Sequence, residues 1–261
     1  MRGIILAAGR GSRLRHLGAE RPKCLVELMG TRLLDLQVEA LRRAGIAEIA
    51  VVRGYQGQMI DLPELTYFHN ARWAQTNMVA SLRIAAEWLR TAPALVSYAD
   101  IFFRSQVVAA LAATPGPLVI SYDRDWRRLW ERRFEDPLAD AETFRIDAQG
   151  RLLEIGGRTA SIADIQGQYM GLLKFTPAGW EIIEGHLRQL DAATADRLDM
   201  TGLLRRLLAG DALPIGTCAT RGNWGEIDNP EDVALYEQML RHGEIILDTA
   251  LIPAPVREQT S

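Results

Sequence analysis

With 261 residues and 48% hydrophobic content, the chain is long enough to bury a full core, in one large domain or in two small ones. Its formal net charge of −3 at pH 7 leaves no basic excess for a nucleic-acid backbone, so no nucleic-acid partner is expected. Cys24 and Cys218 are too few for a disulfide framework, and no basic segment precedes an apolar stretch as in a secretory signal or a membrane span. We therefore expect a cytoplasmic globular protein that does not bind membranes.

The first half of the chain has apolar patterns that predict strands alternating with helices. In chain order they predict a strand over 3–8, a helix over 33–44, a strand over 46–52, a helix that starts behind Asn77 and a strand over 94–98. The run over 3–8 is continuously apolar and ends in glycines, which is typical of a buried parallel strand. Ligands of parallel sheets bind outside the carboxyl ends of the strands, and Asp100 follows such an end.

The second half predicts further strands over 117–122 and 171–175 and helices over 177–190 and 200–208. Alternating strands and helices favour right-handed βαβ units and a mainly parallel sheet. No repeat or low-complexity linker separates the halves, so we expect one domain over 1–243 with two lobes, 1–115 and 116–243. Residues 244–261 contain two prolines, end polar and predict a C-terminal tail.

A glycine-rich loop, GRGSRL at 9–14, directly follows the first strand. It lacks the Gly-Lys-Ser/Thr ending of a P-loop, and Leu14 stands where a dinucleotide fingerprint has its third glycine. What remains is a set of bare backbone amides with the Ser12 hydroxyl, the Arg13 guanidinium and, further on, the Lys23 amine. Such groups can grip triphosphate oxygens. Taken alone, the loop is also compatible with a simple glycine turn bearing solvated cations.

Longer motifs make the chain resemble the nucleotidyltransferase superfamily, in the CTP-dependent branch of the bacterial phosphocholine and 2-aminoethylphosphonate cytidylyltransferases. In chain order these motifs are LAAGRGSRL, RPKCLVEL, GTRLLDLQVEALRRAGI, VVRGYQGQMI, TNMVASL, YADIFF and GNWGEIDNPEDVALYE. They cover almost all of residues 1–240, and they depart from the family at His16, where many members have proline. The resemblance implies a Rossmann-like (GT-A-like) three-layer α/β sandwich with a central mixed, mainly parallel sheet. It also implies that 1–115 is the nucleotide-binding lobe and that 116–243 holds the acceptor and the metal.

In the family that the chain resembles, an acceptor phosphate or phosphonate oxygen attacks the α-phosphorus of a nucleoside triphosphate and expels pyrophosphate. Because charge builds on the phosphate oxygens, positioning and electrostatic stabilisation supply most of the rate. The resemblance makes Arg13 and Lys23 the catalytic cations. It implies Mg²⁺ as the cofactor, with three carboxylates as its ligands: Asp100, Glu226 and Asp228.

Two of these carboxylates have a local explanation as well. If 223–229 is an extended strand, Glu226 and Asp228 face the same side and can converge on one ion. Alternatively, the run from Asp228 to Glu231 caps the following helix.

The resemblance also implies the residues that bind the nucleotide: Ala7, Ala8, Gly9, Gly11, Ser12, Arg13, Lys23, Tyr55, Asn77, Ser81 and Asp100. The small Ala7 and Ala8 let a pyrimidine approach the backbone. Tyr55, Asn77 and Ser81 fall where the family has base and ribose contacts. The alternative for Tyr55 is a half-buried loop aromatic.

An unusual segment over 121–144 has aromatic residues at helical spacing, which predicts an amphipathic helix with its arginines in water. It also resembles the Asp-x-x-Trp, Arg-x-x-x-Pro and Ala-Glu pattern of phosphonate cytidylyltransferases. That pattern predicts that Arg133 grips the acceptor's phosphonate and that Asp123 or Glu142 receives its amine. The full predicted acceptor set is Asp123, Trp126, Arg133, Glu142, Tyr169 and Gly171.

Together these features predict a Mg²⁺-dependent nucleotidyltransferase that transfers CMP from CTP to a small phosphonate or phosphorylated amine. A sugar-1-phosphate nucleotidylyltransferase and a non-catalytic nucleotide-sensing module are the alternatives. An NAD-dependent oxidoreductase is disfavoured because the third glycine is missing. The sequence leaves a homodimer open.

Overall fold

The computed structural model of the chain describes residues 1–11 and 21–248. The strands are β1 (Arg2–Ala7), β2 (Glu27–Leu28), β3 (Thr31–Arg32), β4 (Glu48–Arg53), β5 (Thr66–His69), β6 (Ala94–Tyr98), β7 (Ile101–Phe103), β8 (Leu118–Asp123), β9 (Phe144–Ile146), β10 (Leu152–Ile155), β11 (Gln168–Phe175), β12 (Ile215–Thr220) and β13 (Trp224–Glu226). The helices are α1 (Leu33–Arg43), α2 (Met78–Ile84), α3 (Ala86–Thr91), α4 (Ser105–Ala113), α5 (Trp126–Arg133), α6 (Pro177–Arg188), α7 (Ala192–Arg197), α8 (Met200–Ala209) and α9 (Pro230–Arg241).

The core is built on a seven-stranded sheet with the order β12-β8-β11-β6-β1-β4-β5. Strand β11 runs antiparallel to both of its neighbours, β6 and β8, whereas the other neighbouring strands pair in parallel. Ile4 and Ile5 of β1 are fully buried, as expected for a parallel strand covered on both faces. The predicted mixed, mainly parallel sheet of a Rossmann-like fold is therefore confirmed.

The direction of the chain connections places helices on both faces of the sheet. From β1 the chain moves to β4 on one side, and from β5 it returns across β1 to β6 on the other side. Because such crossovers are right-handed, the reversal puts α1 on one face and α2 with α3 on the opposite face. Helix α4 packs against α1, and α6 packs against α3, so each face has its own helical layer.

The predicted helix behind Asn77 is interrupted in the structure. Asn77 caps α2 by accepting a hydrogen bond from the Met78 amide at 2.8 Å. Helix α2 ends at Ile84 because the Ala85 amide bonds to the Leu82 carbonyl, a three-residue step that breaks the α-helical ladder, and α3 then begins at Ala86. The interruption leaves Asn77 and Met78 at the start of a short helix beside the carboxyl ends of the strands.

A crevice forms where the strand order reverses, between the carboxyl ends of β1 and β6. Past the end of β6, the short strand β7 pairs antiparallel with β13, and this register sets Ile101 opposite Glu226. The Ile227 amide also donates to the Asp100 carbonyl at 2.9 Å. This local pairing carries the acidic segment around residue 226 to the mouth of the crevice.

The start of the predicted tail packs against the domain as far as it is described. Ile245 is buried, and Asp248 accepts a hydrogen bond from the Ser105 amide and pairs with Arg104 at 3.3 Å. Residues 249–261 lie outside the described part. No helix among the described residues combines the length and the apolarity that a membrane crossing requires.

Candidate active site

The crevice at the strand-order reversal encloses about 370 Å³ and gathers most of the predicted nucleotide and metal residues. Its lining consists of Leu6, Ala7, Gly9, Gly11, Lys23, Cys24, Met78, Tyr98, Ala99, Asp100, Glu226 and Asp228. These residues come from the end of β1, the glycine loop, the turn at Lys23, the start of α2, the end of β6 and the segment at the end of β13. The chain therefore brings together at one place groups that are more than 200 positions apart.

Lys23 lies at the centre of the charged groups in this crevice. Pro22 precedes a single short helical turn, Lys23–Leu25, whose apolar members Cys24 and Leu25 are buried and anchor the turn. The Lys23 amine donates to Oδ2 of Asp100 at 2.8 Å and to Oδ1 of Asp228 at 2.9 Å. Burial alone would lower the pKa of Lys23, but the two carboxylates outweigh it and hold the pKa above its ordinary value. Lys23 is therefore a permanently charged cation in the crevice.

Asp100, Glu226 and Asp228 form a cluster in which each contributes one oxygen within 4.8 Å of the others. Burial, followed by the charges of Asp228 and Asp100, raises the pKa of Glu226 well above its usual range. Oδ1 of Asp100 is buried and has no hydrogen-bond partner. An orphaned carboxylate oxygen beside two further carboxylates fits a hard divalent cation such as Mg²⁺, which prefers oxygen ligands. These residues are therefore suited to hold the predicted ion.

The structure explains how Asp228 reaches the cluster, and the reason differs from the predicted extended strand. Strand β13 ends at Glu226, so strand alternation does not place Asp228. Instead, Asn229 and Asp232 form the capping box of α9, and Asp232 Oδ2 accepts from the Asp228 amide at 2.8 Å. The helix cap is thus made by the neighbours of Asp228, which leaves the Asp228 side chain facing Lys23.

Arg133 has partners other than those predicted for it. Its side chain is 0% exposed. It donates to both oxygens of Asp232, at 2.9 and 3.1 Å, and to Oδ2 of Asp228 at 3.4 Å. A third carboxylate, Glu226, lies 3.9 Å from Nη1. Most of the guanidinium is therefore engaged with the acidic cluster, whereas its buried Nη1 has no hydrogen-bond partner among the described residues, and a role of Arg133 in acceptor binding stays a prediction.

Asp123 and Trp126 are likewise turned inward. The Asp123 carboxylate is 1% exposed and accepts from the Trp224 indole at 2.8 Å and from the Asp125 amide at 2.9 Å. Trp126 is buried, and its indole donates to the Ile165 carbonyl at 3.2 Å. Both side chains organise the ends of β8 and α5. The amphipathic-helix alternative accounts for Trp126, and Asp123 is not accessible to an acceptor amine.

The predicted acceptor residues Tyr169 and Gly171 both contact Tyr98, which lines the crevice. Tyr169 donates from its hydroxyl to that of Tyr98 at 3.3 Å, with the two rings edge to face. Gly171 has φ +73°, and a Cβ built there would lie 2.6 Å from the Tyr98 ring. A side chain at position 171 would therefore push Tyr98 into the crevice. Glu142, the remaining predicted acceptor residue, lies beside a second groove described below.

The predicted base and ribose residues lie around the end of β1. The Tyr55 amide donates to the carbonyl of the buried Ala8 at 2.9 Å, and the Tyr55 ring lies edge to face with Trp73. On its other side, the Arg10 guanidinium lies 5.5 Å from the centre of the Tyr55 ring. Tyr55 is thus tied to both Ala8 and the glycine loop.

Ser81 and Asn77 are engaged with protein groups. Ser81 is buried and accepts from the Asn70 side chain at 3.0 Å, which places its hydroxyl beneath the surface of the pocket. Besides capping α2, the Asn77 side chain donates to the Arg197 carbonyl at 3.2 Å. Of the remaining predicted nucleotide residues, Ser12 and Arg13 lie outside the described residues, as does His16.

The sequence interpretation missed two residues of the site and one contact within it. Asp232 was detectable, because Asn-x-x-Asp before an apolar helical pattern is a capping-box signal. Tyr98 was detectable as the last residue of a strand that precedes Asp100. The third is the bond of Arg133 to Asp232, which no local pattern reports because 99 positions separate the two residues.

Known proteins resemble this chain in sequence and in fold. A family model described as the MobA-like NTP transferase domain matches residues 3–161. The chain is 34% identical over 256 residues to the CTP:phosphoglutamine cytidylyltransferase of Campylobacter jejuni, an alignment that covers 89% of this chain and 98% of that protein. It is 29% identical over 257 residues to the CMP-5'-(3-aminopropyl)phosphonate synthase of Streptomyces rubellomurinus, covering 89% of this chain and 37% of that protein.

Among solved structures, the CTP:phosphocholine cytidylyltransferase of Streptococcus pneumoniae superposes with a TM-score of 0.69 at 21% identity. The superposition covers 92% of this chain and 98% of that chain. At this identity the likeness shows a shared fold. It extends well beyond the residues that the family model matches, into the part of the chain that carries Glu226 and Asp228.

Proposed function

Because the chain belongs to the MobA-like NTP transferase domain family, we propose that it is a cytidylyltransferase that transfers CMP from CTP to a small phosphorylated or phosphonate acceptor. The reaction forms a bond between an acceptor oxygen and the α-phosphorus of CTP and releases pyrophosphate. The observation that carries the proposal is the meeting of Lys23 with Asp100 and Asp228 directly beside the glycine loop. Two relatives with such activities in their names, each aligned over 89% of this chain, support the choice of CTP.

The crevice offers the groups that nucleotidyl transfer needs. Gly9 and Gly11 carry no side chains, and the Arg10 guanidinium between them lies against the Tyr55 ring, so the triphosphate can lie along this backbone. Lys23, being permanently charged, neutralises negative charge that builds on the phosphate oxygens during attack. When bound, Mg²⁺ would be held by Asp100, Glu226 and Asp228 and would supply further neutralisation of the phosphates.

The nucleoside end fits against the carboxyl end of β1. Ala7 and Ala8 are small, and Ala7 lines the crevice, so a base can approach the backbone there. The Tyr55 ring, held between Arg10 and Trp73, forms a rigid wall near the same strand end. A rigid wall and a close backbone suit the compact ring of cytosine better than a purine. On this basis a pyrimidine nucleotide is preferred, and the names of the two relatives favour CTP among the pyrimidine nucleotides.

The test is pyrophosphate release by the full chain with CTP, UTP, GTP or ATP, each with MgCl₂ and a panel of acceptors. The panel contains 2-aminoethylphosphonate, phosphocholine, O-phospho-L-serine and glucose 1-phosphate, and mass spectrometry identifies any CMP adduct. We expect a CMP adduct with at least one phosphonate or phosphoamine, and its loss in the Asp100→Asn variant. Better turnover with UTP or GTP would overturn the choice of CTP. Turnover of glucose 1-phosphate alone would make the protein a sugar-1-phosphate enzyme, and absence of any adduct would favour a sensing module.

A further inference from the structure

A second, larger cavity of about 750 Å³ lies between α8 and β10, outside the crevice. We call it the α8 groove; it is lined by Leu153, Glu154, Ile155, Arg197, Leu198, Asp199, Gly202, Arg205, Arg206, Leu208 and Ala209. The sequence motifs assigned no role to α8. Leu198 is buried at the base of the groove, whereas Leu153 is 55% exposed at its rim. The groove is therefore an open cleft with an apolar floor and charged walls.

Charges of both signs line or border this groove. Among the described residues, no ion pair or side-chain hydrogen bond joins Arg197, Arg205 or Glu142 to a partner. Asp199 caps α8 through one oxygen, which accepts from the Gly202 amide at 2.6 Å. Burial is the main cause that raises the pKa of Glu142; the positive charge of Arg158 lowers it in part, Asp140 and Asp199 raise it further, and Arg205 lowers it. The net pKa is raised, so a further bound cation would stabilise the half-buried Glu142 carboxylate.

Arg205 and Glu142, which carry opposite charges, lie close to each other on either side of Gly156. It has φ +79°, and a Cβ built there would lie 3.3 Å from Cδ of Arg205 and 3.5 Å from Oε2 of Glu142. The same Cβ would lie 2.2 Å from the methyl group of Thr201. Any side chain at this position would fill the space between the carboxylate and the guanidinium. The glycine keeps that space open.

The α8 groove adjoins the catalytic crevice. The Val79 amide bonds to the Leu198 carbonyl at 3.2 Å, and the Asn77 amide bonds to the Asp196 carbonyl, so α2 and the segment before α8 form a shared wall. Tyr98, which lines the crevice, is influenced by both Asp100 and Asp199. Met78 at the start of α2 lines the crevice and Leu198 lines the groove, so both cavities adjoin this pair of segments.

We propose that the α8 groove receives the far end of the acceptor and that this end is an α-amino acid, with its ammonium between Glu142 and Asp199 and its carboxylate on Arg205. The inference rests on the proposed function, since it assigns the acceptor of that reaction. Arg197, on the same rim, adds a second positive charge for the carboxylate. The acceptor is then a phosphorylated or phosphonate amino acid whose phosphorus end reaches past Tyr98 to Lys23.

Other acceptors fit this lining less well. A quaternary ammonium such as that of choline is recognised by aromatic faces, and the lining of the α8 groove contains no aromatic residue among the described residues. A sugar is neutral and leaves both sets of charges uncompensated. A simple aminoalkyl phosphonate satisfies Glu142 but leaves Arg205 without a partner. An amino acid satisfies both, and its carboxylate can form two parallel bonds with the guanidinium.

The test compares three acceptors that differ by one charged group. L-2-amino-4-phosphonobutyrate has both groups, 3-aminopropylphosphonate lacks the carboxylate, and 4-phosphonobutyrate lacks the amine. Pyrophosphate release with CTP gives kcat/KM for each with the wild type, Arg205→Gln, Glu142→Gln and the control Arg127→Gln, an exposed arginine on α5. We expect the amino acid to exceed both analogues by about 10- to 100-fold, the ordinary value of a charge-assisted hydrogen bond.

Each variant should remove the preference for the amino acid over one of the two analogues. Arg205→Gln should lower kcat/KM for the amino acid to the level of 3-aminopropylphosphonate, and Glu142→Gln should lower it toward that of 4-phosphonobutyrate. Neither variant should change the KM for CTP, and Arg127→Gln should match the wild type. Equal use of all three acceptors, or an unchanged preference in Arg205→Gln, overturns the inference while leaving the proposed function intact.

If none of the three acceptors releases pyrophosphate, the proposed function fails for phosphonates, and binding decides the inference by itself. Calorimetric titration of L-2-amino-4-phosphonobutyrate into the full chain should then show binding that Arg205→Gln weakens about 10-fold or more. Absence of binding, or equal binding by wild type and Arg205→Gln, overturns it.

Discussion

The amine of Lys23 lies 2.8 Å from Oδ2 of Asp100, although 77 positions separate the two residues. The same amine lies 2.9 Å from Oδ1 of Asp228, from near the end of the chain. One cation therefore joins the segment after the glycine loop, the end of β6 and the turn before α9. Lys23 holds together two carboxylates that would otherwise repel each other.

Removing the Lys23 amine should impair the chemical step. We expect Lys23→Ala to lower kcat with CTP by about 10²-fold or more, the usual cost of losing one charge stabiliser from a transition state. Steady-state pyrophosphate release with saturating CTP and acceptor measures it. Urea unfolding of the same variant shows whether the loss comes from the chemistry or from the fold. A variant with unchanged kcat and a raised KM would mean that Lys23 supplies only uniform binding.

The acidic cluster should bind a divalent ion in the absence of any acceptor. We expect Asp100→Asn and Asp228→Asn each to weaken the binding of Mn²⁺, measured by electron paramagnetic resonance, by at least about 10-fold. Because both residues would hold one ion, the double variant should lose little more than the worse single variant. The exposed Asp61→Asn is the matched control and should bind as the wild type does. Full additivity of the two effects would assign Asp100 and Asp228 to separate roles.

Arg133 should contribute to folding through the carboxylates that it neutralises. We expect Arg133→Met to lower the free energy of unfolding by about 3 to 5 kcal/mol, because it leaves buried carboxylates such as Asp232 without their cation. Arg127→Met on the solvent side of the same helix should change it by less than about 0.5 kcal/mol. Urea unfolding measures both. If Arg133→Met keeps wild-type stability and raises only the acceptor KM, Arg133 belongs to the acceptor site after all.

Because the thiol of Cys24 is buried, the free energy of unfolding should depend on pH. Burial raises the pKa of Cys24 from its ordinary value of 9.0 to about 12 in the folded protein. The unfolded thiol therefore ionises first, and the stabilising effect of a protonated thiol is complete below pH 9 and is lost as the pH rises toward 12. Between pH 9 and 11, the free energy of unfolding of the wild type should fall by about 2 kcal/mol more than that of Cys24→Ala, with a slope that approaches about 1.4 kcal/mol per pH unit.

The two proteins are compared by the slope of the free energy of unfolding against pH. Cys24→Ala also removes buried volume, but that loss lowers the free energy of unfolding equally at every pH and does not change the slope. Groups that titrate in both proteins cancel in the difference. Urea unfolding at pH 8.0, 9.0, 10.0 and 11.0 gives the two curves. Parallel curves above pH 9 would show that the Cys24 thiol ionises as readily in the folded protein as in the unfolded chain.

Local patterns were sufficient to predict five of the seven strands of the sheet, whereas its two edge strands, β5 and β12, were not predicted. The apolar run over 3–8 corresponds to β1 and the strand over 94–98 to β6, because a buried strand needs only a short continuous apolar stretch. The helix over 33–44 matches α1 within one residue for the same kind of reason. Resemblance to known motifs added the glycine loop, Lys23 and the three carboxylates, whose spacing in sequence carries no geometric information.

Partners of buried charges were decided by the tertiary structure alone. The sequence places Arg133 on a helix with other arginines, and the expected partner was a ligand. In the fold, α5 packs against α9, and the nearest anions are Asp232, Asp228 and Glu226. A buried guanidinium must be neutralised by whatever carboxylates the packing supplies, because an unpaired buried charge is too costly. Which carboxylates those are depends on contacts across some 100 positions.

The charges around the α8 groove were likewise brought together by the tertiary structure alone. Arg205 and Glu142 belong to separate segments, each of which reads as an ordinary charged surface, and their approach around Gly156 appears only when β10 packs beside α8. Periodicity determines which side of an element is buried, since burial is a property of each residue and its near neighbours. Charge complementarity toward a ligand is a property of several distant segments at once, so for this protein only the folded chain decided it.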